Sequence, residues 1–193
     1  EDEPMGGYDP YSSSKACSEL ISSAYRHSYF NSDENEDNTV FFATARAGNV
    51  IGGGDWAHNR LIPDILNALE LNEMVTIRYP DATRPWQHVL EPLRGYLILA
   101  ERLYLNGKGY DEAWNFGPND VDAKPVSWIV EKMMELWGGN AGWEVDTIQH
   151  NHESNYLKLD ISKARQRLNY HPKLDLNHAL QLTIDWARHY QAG

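Results

Sequence analysis

Tyr11 and Lys15 stand four residues apart in the run Tyr11-Ser12-Ser13-Ser14-Lys15. On a helix that spacing puts both side chains on one face. An ammonium there favours the phenolate over the phenol and prepares the tyrosine to act as a base. The spacing is common, and a solvated helix surface accounts for it equally well. A second group follows in ARAGNVIGGGDW, from Ala45 to Trp56, where a strand-like run ends in Asn49 and a glycine-rich loop. Ligand sites of α/β sheets lie at the carboxyl ends of strands, so the Asn49 amide is placed to meet a ligand, although Asn and Gly also simply make turns. The third is RYPDATRPWQH, Arg78 to His88. Its two arginines offer a guanidinium fork for a phosphate, and its aromatics an apolar face for a base. His150, His152 and Glu153 suggest a metal only weakly, because no third ligand lies at helical spacing and neither His88 nor His171 relates to them. Trp128, Trp137, Tyr104 and Trp186 read as core or interface residues.

The elements that must position these groups follow from periodicity and punctuation. The spacing predicts helices over Pro10–Phe30, Leu61–Leu71 with Pro63 in the first turn, Leu90–Leu105, Ser127–Trp137 with Ser127 as the cap, Ile161–Leu168 and Leu176–Tyr190. Strands are expected over Val40–Ala47, Met74–Tyr79, Ala113–Phe116 and Trp143–Ile148. The polar run Asn31–Asn38, the stretch Gly48–Asn59 and the segment Pro80–Pro85 read as loops or turns, and Asn169–Pro172 as a turn between the last two helices. Strands alternating with helices point to an α/β or α+β architecture. No G-x-G-x-x-G or G-x-x-G-x-x-G occurs: Gly52-Gly53-Gly54 runs into Asp55, and Gly107-x-Gly109 has no third glycine.

Composition narrows the classes. The chain has 193 residues, 41% of them hydrophobic, with 11 Tyr and 7 Trp, which suits an ordered domain with a core. Seventeen Lys+Arg against 28 Asp+Glu leave a net charge of −11, which argues against sequence-independent nucleic-acid binding. No apolar stretch approaches the roughly 20 residues that cross a bilayer. One cysteine, Cys17, excludes an internal disulfide and a cysteine-based zinc cluster, so a reducing, cytoplasmic compartment is expected, with Cys17 buried in its helix. The start at Glu1-Asp2-Glu3-Pro4 without Met reads as the middle of a loop, and a piece of a longer protein is expected.

Together, GGYDPYSSSKACSEL (Gly6–Leu20), ARAGNVIGGGDWAHNRLIPDIL (Ala45–Leu66), RYPDATRPWQHVLEPLRGYL (Arg78–Leu97), WNFGP (Trp114–Pro118) and LKLDISKARQRLNYHP (Leu157–Pro172) resemble the C-terminal part of the extended short-chain dehydrogenase/reductase family. The nearest resemblance is to its nucleotide-sugar 4,6-dehydratases acting on CDP-glucose. It covers nearly the whole chain, and GNVIGGGDWA, RLIPD and RPWQHV occurring together are specific where YxxxK is not. The resemblance implies an incomplete Rossmann sheet plus a smaller α/β substrate domain, with residues 1–50 as remnant of the NAD-binding domain and 51–193 as the nucleotide-sugar-binding portion. It makes Tyr11 the base that takes the 4-hydroxyl proton of the sugar, and Lys15 the residue that holds the nicotinamide ribose. Ala47 and Gly48 would pass the nicotinamide carboxamide, and Asn49 and Arg84 would bind the pyrophosphate of the sugar nucleotide. Arg60, Leu61, Thr76 and Arg78 would line the pyrimidine pocket, with Glu153 near the ribose.

In the family, the glycine-rich turn, an acidic residue on the adenosine ribose and a Thr-Asp-Lys stretch that assists water loss all precede the equivalent of Glu1. The 193 residues alone are therefore expected neither to turn over CDP-glucose nor to hold NAD firmly. A homodimer through a bundle containing the YxxxK helix is implied. A non-catalytic nucleotide-sugar-binding module, a self-associating module, and relatives acting on GDP-mannose or UDP-sugars are the competing readings.

Overall fold

A computed structural model describes residues 5–7, 9–30, 40–139, 141–148 and 155–193. The expectations on Glu1–Pro4, Asn31–Asn38, His150, His152 and Glu153 lie outside these. The elements run α1 (Pro10–Tyr29), β1 (Thr44–Ala47), β2 (Asn49–Ile51), α2 (Leu61–Leu71), β3 (Val75–Ile77), β4 (Thr83–His88), α3 (Leu90–Asn106), β5 (Ala113–Phe116), β6 (Ala123–Pro125), α4 (Val126–Trp137), β7 (Trp143–Val145), α5 (Ser162–Leu168) and α6 (Leu176–Gln191). They form two compact units: residues 1–46, 94–115 and 160–170 in the first, and 47–93, 116–159 and 171–193 in the second.

In the first unit, Asp9 caps α1, its Oδ1 accepting from the Ser12 backbone N–H at 2.9 Å. Pro10 follows at N1, where its missing N–H costs nothing. No residue of α1 is buried, and Cys17 is exposed, contrary to the buried position expected. Its face of the helix simply has no covering element among the described residues. β1 pairs with β5 in a two-stranded sheet, and the expected strand over Val40–Ala47 is formed only from Thr44. Trp114 from β5 is fully buried with Tyr170, Ala164 and Leu168. Lys163 Nζ sits 4.7 Å from the Trp114 ring centroid and 2.5 Å from Glu112, a cation–π contact and an ion pair sharing one ammonium.

Glu19 joins α1 to β1. Its Oε2 accepts from Arg46 Nη2 and from Thr44 Oγ1, both at 2.9 Å, and the hydrogen bond from the guanidinium holds the carboxyl below its usual range. A folded-state pKa below the unfolded one gives stability that is present above the unfolded value, near pH 4.5, and lost as pH falls through the folded one. Both side chains are partly exposed, so the contribution is about 1 kcal/mol. Glu19→Gln is expected to lower stability by about that much at pH 7 and to converge with the wild type at pH 3, measured by thermal melts at both values.

In the second unit a three-stranded sheet runs β2-β4-β6. β2 lies parallel to β4, pairing Asn49 with Trp86 and Ile51 with His88, and β6 lies antiparallel, pairing Thr83 with Pro125 and Pro85 with Ala123. The segment Gly48–Asn59, expected as loop, thus contributes strand β2, and Pro80–Pro85, expected as turn, contributes half of β4. The physical reason is that β4 changes partner midway: its second half meets β2 and its first half meets β6. Pro85 therefore has a strand on one side only, the edge condition under which a sheet tolerates proline. Gly48 is required by this arrangement, since a Cβ there would stand 2.6 Å from the Pro85 carbonyl oxygen.

β3 and β7 form a parallel pair, and the helices α2, α4 and α6 bury Ile65, Leu69, Val130, Met133, Leu180 and Ile184 in one cluster with Val75, Ile77 and Trp86. α4 begins at Val126, and Ser127 supplies no side-chain cap. The orphan N–H groups of this helix start are met instead by chain carbonyls: Val126 donates to Ala82 at 3.1 Å and Ser127 to Pro80 at 2.9 Å. α2 and α5 end at Asn72 and Asn169, each in the left-handed conformation that asparagine tolerates. Tyr104 is 90% exposed and belongs to no core. No helix among the described residues is long and apolar enough to cross a membrane.

Candidate functional site

Five residues separated in sequence meet in the second unit. Asn49 from β2, Leu61 from the start of α2, Thr76 from β3, Arg78 just after it and Arg84 from β4 all line a cavity of about 190 Å³. Its floor is apolar, made by Ile65, Ile77, Trp86 and Val126, and its walls carry the polar groups. This is the usual division of a small-molecule site, in which apolar surface supplies contact area and a few fixed polar groups supply orientation. The local folding explains the placement. α2 buries Ile62, Ile65 and Leu69, and so turns Leu61 and Asp64 toward the cavity. β3 buries Val75 and Ile77 and leaves Thr76 exposed between them, and all three line the cavity. Arg84 is half-buried, with Nη1 donating to the Thr83 carbonyl at 3.0 Å, and Trp86 Nε1 anchors β4 by donating to the Lys124 carbonyl at 3.1 Å.

Some expected residues lie elsewhere. Arg60 is the N-cap residue of α2, but it is exposed and not among the lining residues; its Nη1 stands 3.4 Å from Asp55 Oδ2. Tyr11 and Lys15 belong to the first unit, on one face of α1, with Lys15 Nζ 5.5 Å from the Tyr11 ring centroid and Tyr11 71% exposed. Ala47 ends β1 and Gly48 links it to β2, donating its N–H to the Phe116 carbonyl at 3.3 Å. Glu153 lies outside the described residues.

The cavity also contains Asn59 and Asp64, which motif reasoning passed over, and Tyr79 and Trp86, the aromatics expected to offer a base an apolar face. Asn59 is hidden in a stretch that reads as loop. Only its backbone angle of φ 62° and the bond to its Oδ1 from Arg78 Nη2, at 3.0 Å, mark it out. Asp64 introduces one carboxylate into a wall otherwise rich in donors. Among the described residues no group of three or more His, Cys, Asp or Glu could hold a metal.

A sequence model of the NAD-dependent epimerase/dehydratase family matches residues 1–117. The chain belongs to that family. A curated CDP-glucose 4,6-dehydratase from Salmonella typhimurium is 55% identical over all 193 residues, which make up 54% of that relative. A dTDP-glucose 4,6-dehydratase from Actinoplanes is 27% identical over 191 residues, again 54% of its length. The chain thus spans about half the length of the curated relatives it matches. Among solved structures, an epimerase from Methanothermobacter thermautotrophicus superposes with a TM-score of 0.82 at 21% identity, covering 98% of this chain and 53% of that one. A dTDP-glucose 4,6-dehydratase from Streptomyces venezuelae, solved with NAD bound, gives 0.77 at 21% identity, covering 100% and 55%. The fold of this epimerase/dehydratase chain is therefore α/β with partial parallel sheets, consistent with part of a Rossmann fold.

Proposed function

We propose that this chain is the nucleotide-sugar-binding portion of an NAD-dependent 4,6-dehydratase that converts CDP-glucose to CDP-4-keto-6-deoxyglucose. Residues 1–50 are assigned to the remnant of the NAD-binding domain and 51–193 to the sugar-nucleotide portion. The observation that supports this most is the convergence of Asn49, Leu61, Thr76, Arg78 and Arg84 on one cavity. Two guanidinium groups and an amide over an apolar floor match a nucleoside diphosphate, whose charge lies on one part and whose flat base on another. Asn49 and Arg84 take the pyrophosphate, Leu61, Thr76 and Arg78 the pyrimidine, with Arg60 at the helix start and Glu153 assigned to the ribose.

Tyr11 and Lys15 supply the reacting face. A phenol and an ammonium on one exposed helix face form a donor set that fits ribose hydroxyls, and Ala47 and Gly48 are assigned to the carboxamide edge of the same cofactor. A bound NAD would supply the redox chemistry there, as hydride acceptor for C4 of the glucose and hydride donor to C6 once water has been lost across C5 and C6. Tyr11 takes the 4-hydroxyl proton as the C4 carbonyl forms, and Lys15 is assigned to the nicotinamide ribose, its ammonium favouring the phenolate form of Tyr11. The exposed Leu20, Ile21 and Tyr25 of α1 and Leu97 of α3 are assigned to a homodimer interface, and the compartment to the cytoplasm.

Thermal melts of the purified chain test the reading. CDP or CDP-glucose at a hundred times its Kd is expected to raise the melting temperature by roughly 5–10 °C, from about 2.7 kcal/mol of linkage spread over a domain of this size. No shift with any nucleotide rejects it. The 193 residues by themselves are expected to bind NAD⁺ no tighter than about millimolar, checked by calorimetry, and a micromolar Kd overturns that expectation.

A further inference from the structure

One solvent-exposed hydrogen bond between two residues that line the cavity bears on which base it accepts, an inference that rests on the nucleotide-sugar reading above. Asn59 and Arg78 both line the cavity, with Asn59 Oδ1 3.0 Å from Arg78 Nη2. Asn59 lies on the loop between β2 and α2, and Arg78 directly follows β3, so this bond ties two separate segments of the wall together. The backbone of Asn59, at φ 62°, is left-handed, a conformation that asparagine enters more readily than most residues with a side chain.

A guanidinium has five N–H donors and no acceptor. Its partner atom on Asn59 must therefore be the amide oxygen, which fixes the orientation of the amide. The Nδ2 group is left with its hydrogens available, beside those of the guanidinium. This stretch of wall therefore offers donors next to donors. Cytosine presents two neighbouring acceptors, O2 and N3. Uracil and thymine break the same edge with an N3–H, which would set a donor against a donor. Arg78 alone does not discriminate, because all three pyrimidines carry O2.

We infer that Asn59 is a specificity-determining residue of this cavity and selects cytosine nucleotides over those of uracil and thymine. The amide reads N3, and Arg78 holds the amide in the orientation that makes it a donor there. The Thr76 hydroxyl can donate or accept, and Arg78 meets the O2 that all three pyrimidines carry, so the choice falls to the amide that Arg78 orients.

Calorimetry on the whole purified chain with CDP, UDP and inorganic pyrophosphate tests the inference. The wild type is expected to bind CDP roughly tenfold more tightly than UDP, the value of one well-placed hydrogen bond gained against one donor clash. Asn59→Asp keeps the size, the left-handed backbone and the bond to Arg78, but puts an acceptor where the amide donor was. It is expected to bring UDP level with CDP or ahead of it, with pyrophosphate binding unchanged within twofold. Asn59→Gly keeps the backbone and removes both groups, and should bring the ratio close to one. A purely structural role for Asn59 would weaken all three probes together and leave the ratio unchanged, which overturns the inference. A wild type that binds UDP as tightly as CDP overturns it also, while leaving the nucleotide-sugar reading standing. A wild type that binds none of the three probes rejects both.

Discussion

Arg84→Ala is expected to weaken CDP binding by roughly 10- to 150-fold, the range for losing charge-assisted hydrogen bonds worth about 1.5–3 kcal/mol. Arg84 sits in the first half of β4, opposite Lys124 of β6, with its guanidinium in the wall of the cavity. The strand holds the side chain at its root, and the bond from Nη1 to the Thr83 carbonyl orients the planar group. Much of its rotamer entropy is therefore lost before a ligand arrives, and binding need not repeat that loss. Arg84→Lys separates charge from geometry, since an ammonium retains the charge without the two parallel N–H groups that meet a phosphate. It should fall between the wild type and the alanine variant. Calorimetry with CDP measures both, and salt should weaken CDP binding less in the alanine variant. An alanine variant that binds CDP like the wild type would remove Arg84 from the phosphate site.

Glu91→Ala is expected to cost about 3–5 kcal/mol of stability, the usual loss on removing one partner of a buried charged group. For a domain of this size that corresponds to a melting temperature lower by roughly 6–20 °C. Glu91 is 3% exposed in the first turn of α3, where the helix dipole favours a carboxylate. Its Oε1 accepts from the backbone N–H groups of Lys173 at 2.8 Å and Leu174 at 2.7 Å, and so fixes the approach of the chain to α6. Alanine would leave both donors unmet inside the unit. Glu91→Gln retains one acceptor oxygen and should lose about 1–2 kcal/mol, because the remaining bonds are to a neutral group. Thermal and urea melts separate the two variants, and equal losses would show that volume rather than hydrogen bonding governs the site.

His88, three residues earlier, supplies a pH signature of the same region. Burial lowers its pKa below the usual 6.5, with the Glu91 charge opposing, and its Nδ1 accepts from the Leu90 N–H at 3.3 Å. The folded chain thus keeps a neutral imidazole where the unfolded chain takes up a proton. The stability this contributes is present above the unfolded value and declines as pH falls below about 6.5. Glu91→Ala removes the opposing charge and is expected to steepen that decline.

The elements with strong local patterns could be read before any coordinates. The boundaries of α2 at Leu61 and Leu71 and of β5 at Ala113 and Phe116 match the sequence reading, because helical periodicity and β-rich runs with Gly stops act within a few residues. The short strands could not be read. β2 and β6 have three residues each and exist only because β4 offers them hydrogen-bond partners far away in the chain. Pro85 and the glycines of Gly52–Gly54 look like punctuation until the change of partner along β4 shows how a proline is accommodated. Ser127 fails as a cap for a related reason: carbonyls of the turn at residues 80–82 reach the helix start first.

The motifs divide the same way. GNVIGGGDWA, RLIPD and RPWQHV, occurring together, carry the resemblance to the family without coordinates, whereas YSSSK alone does not. That Asn49, Leu61, Thr76, Arg78 and Arg84 line one cavity follows only from tertiary packing, which folds β2, α2, β3 and β4 around a shared apolar floor. Asn59 lies wholly on the structural side of this division. Its sequence neighbourhood reads as loop, and the direction of its amide is set by an arginine 19 residues further along the chain. Sequence alone determined which chemical groups are available; the tertiary fold decided which of them meet and with what polarity, because hydrogen-bond geometry depends on distances that local patterns do not encode.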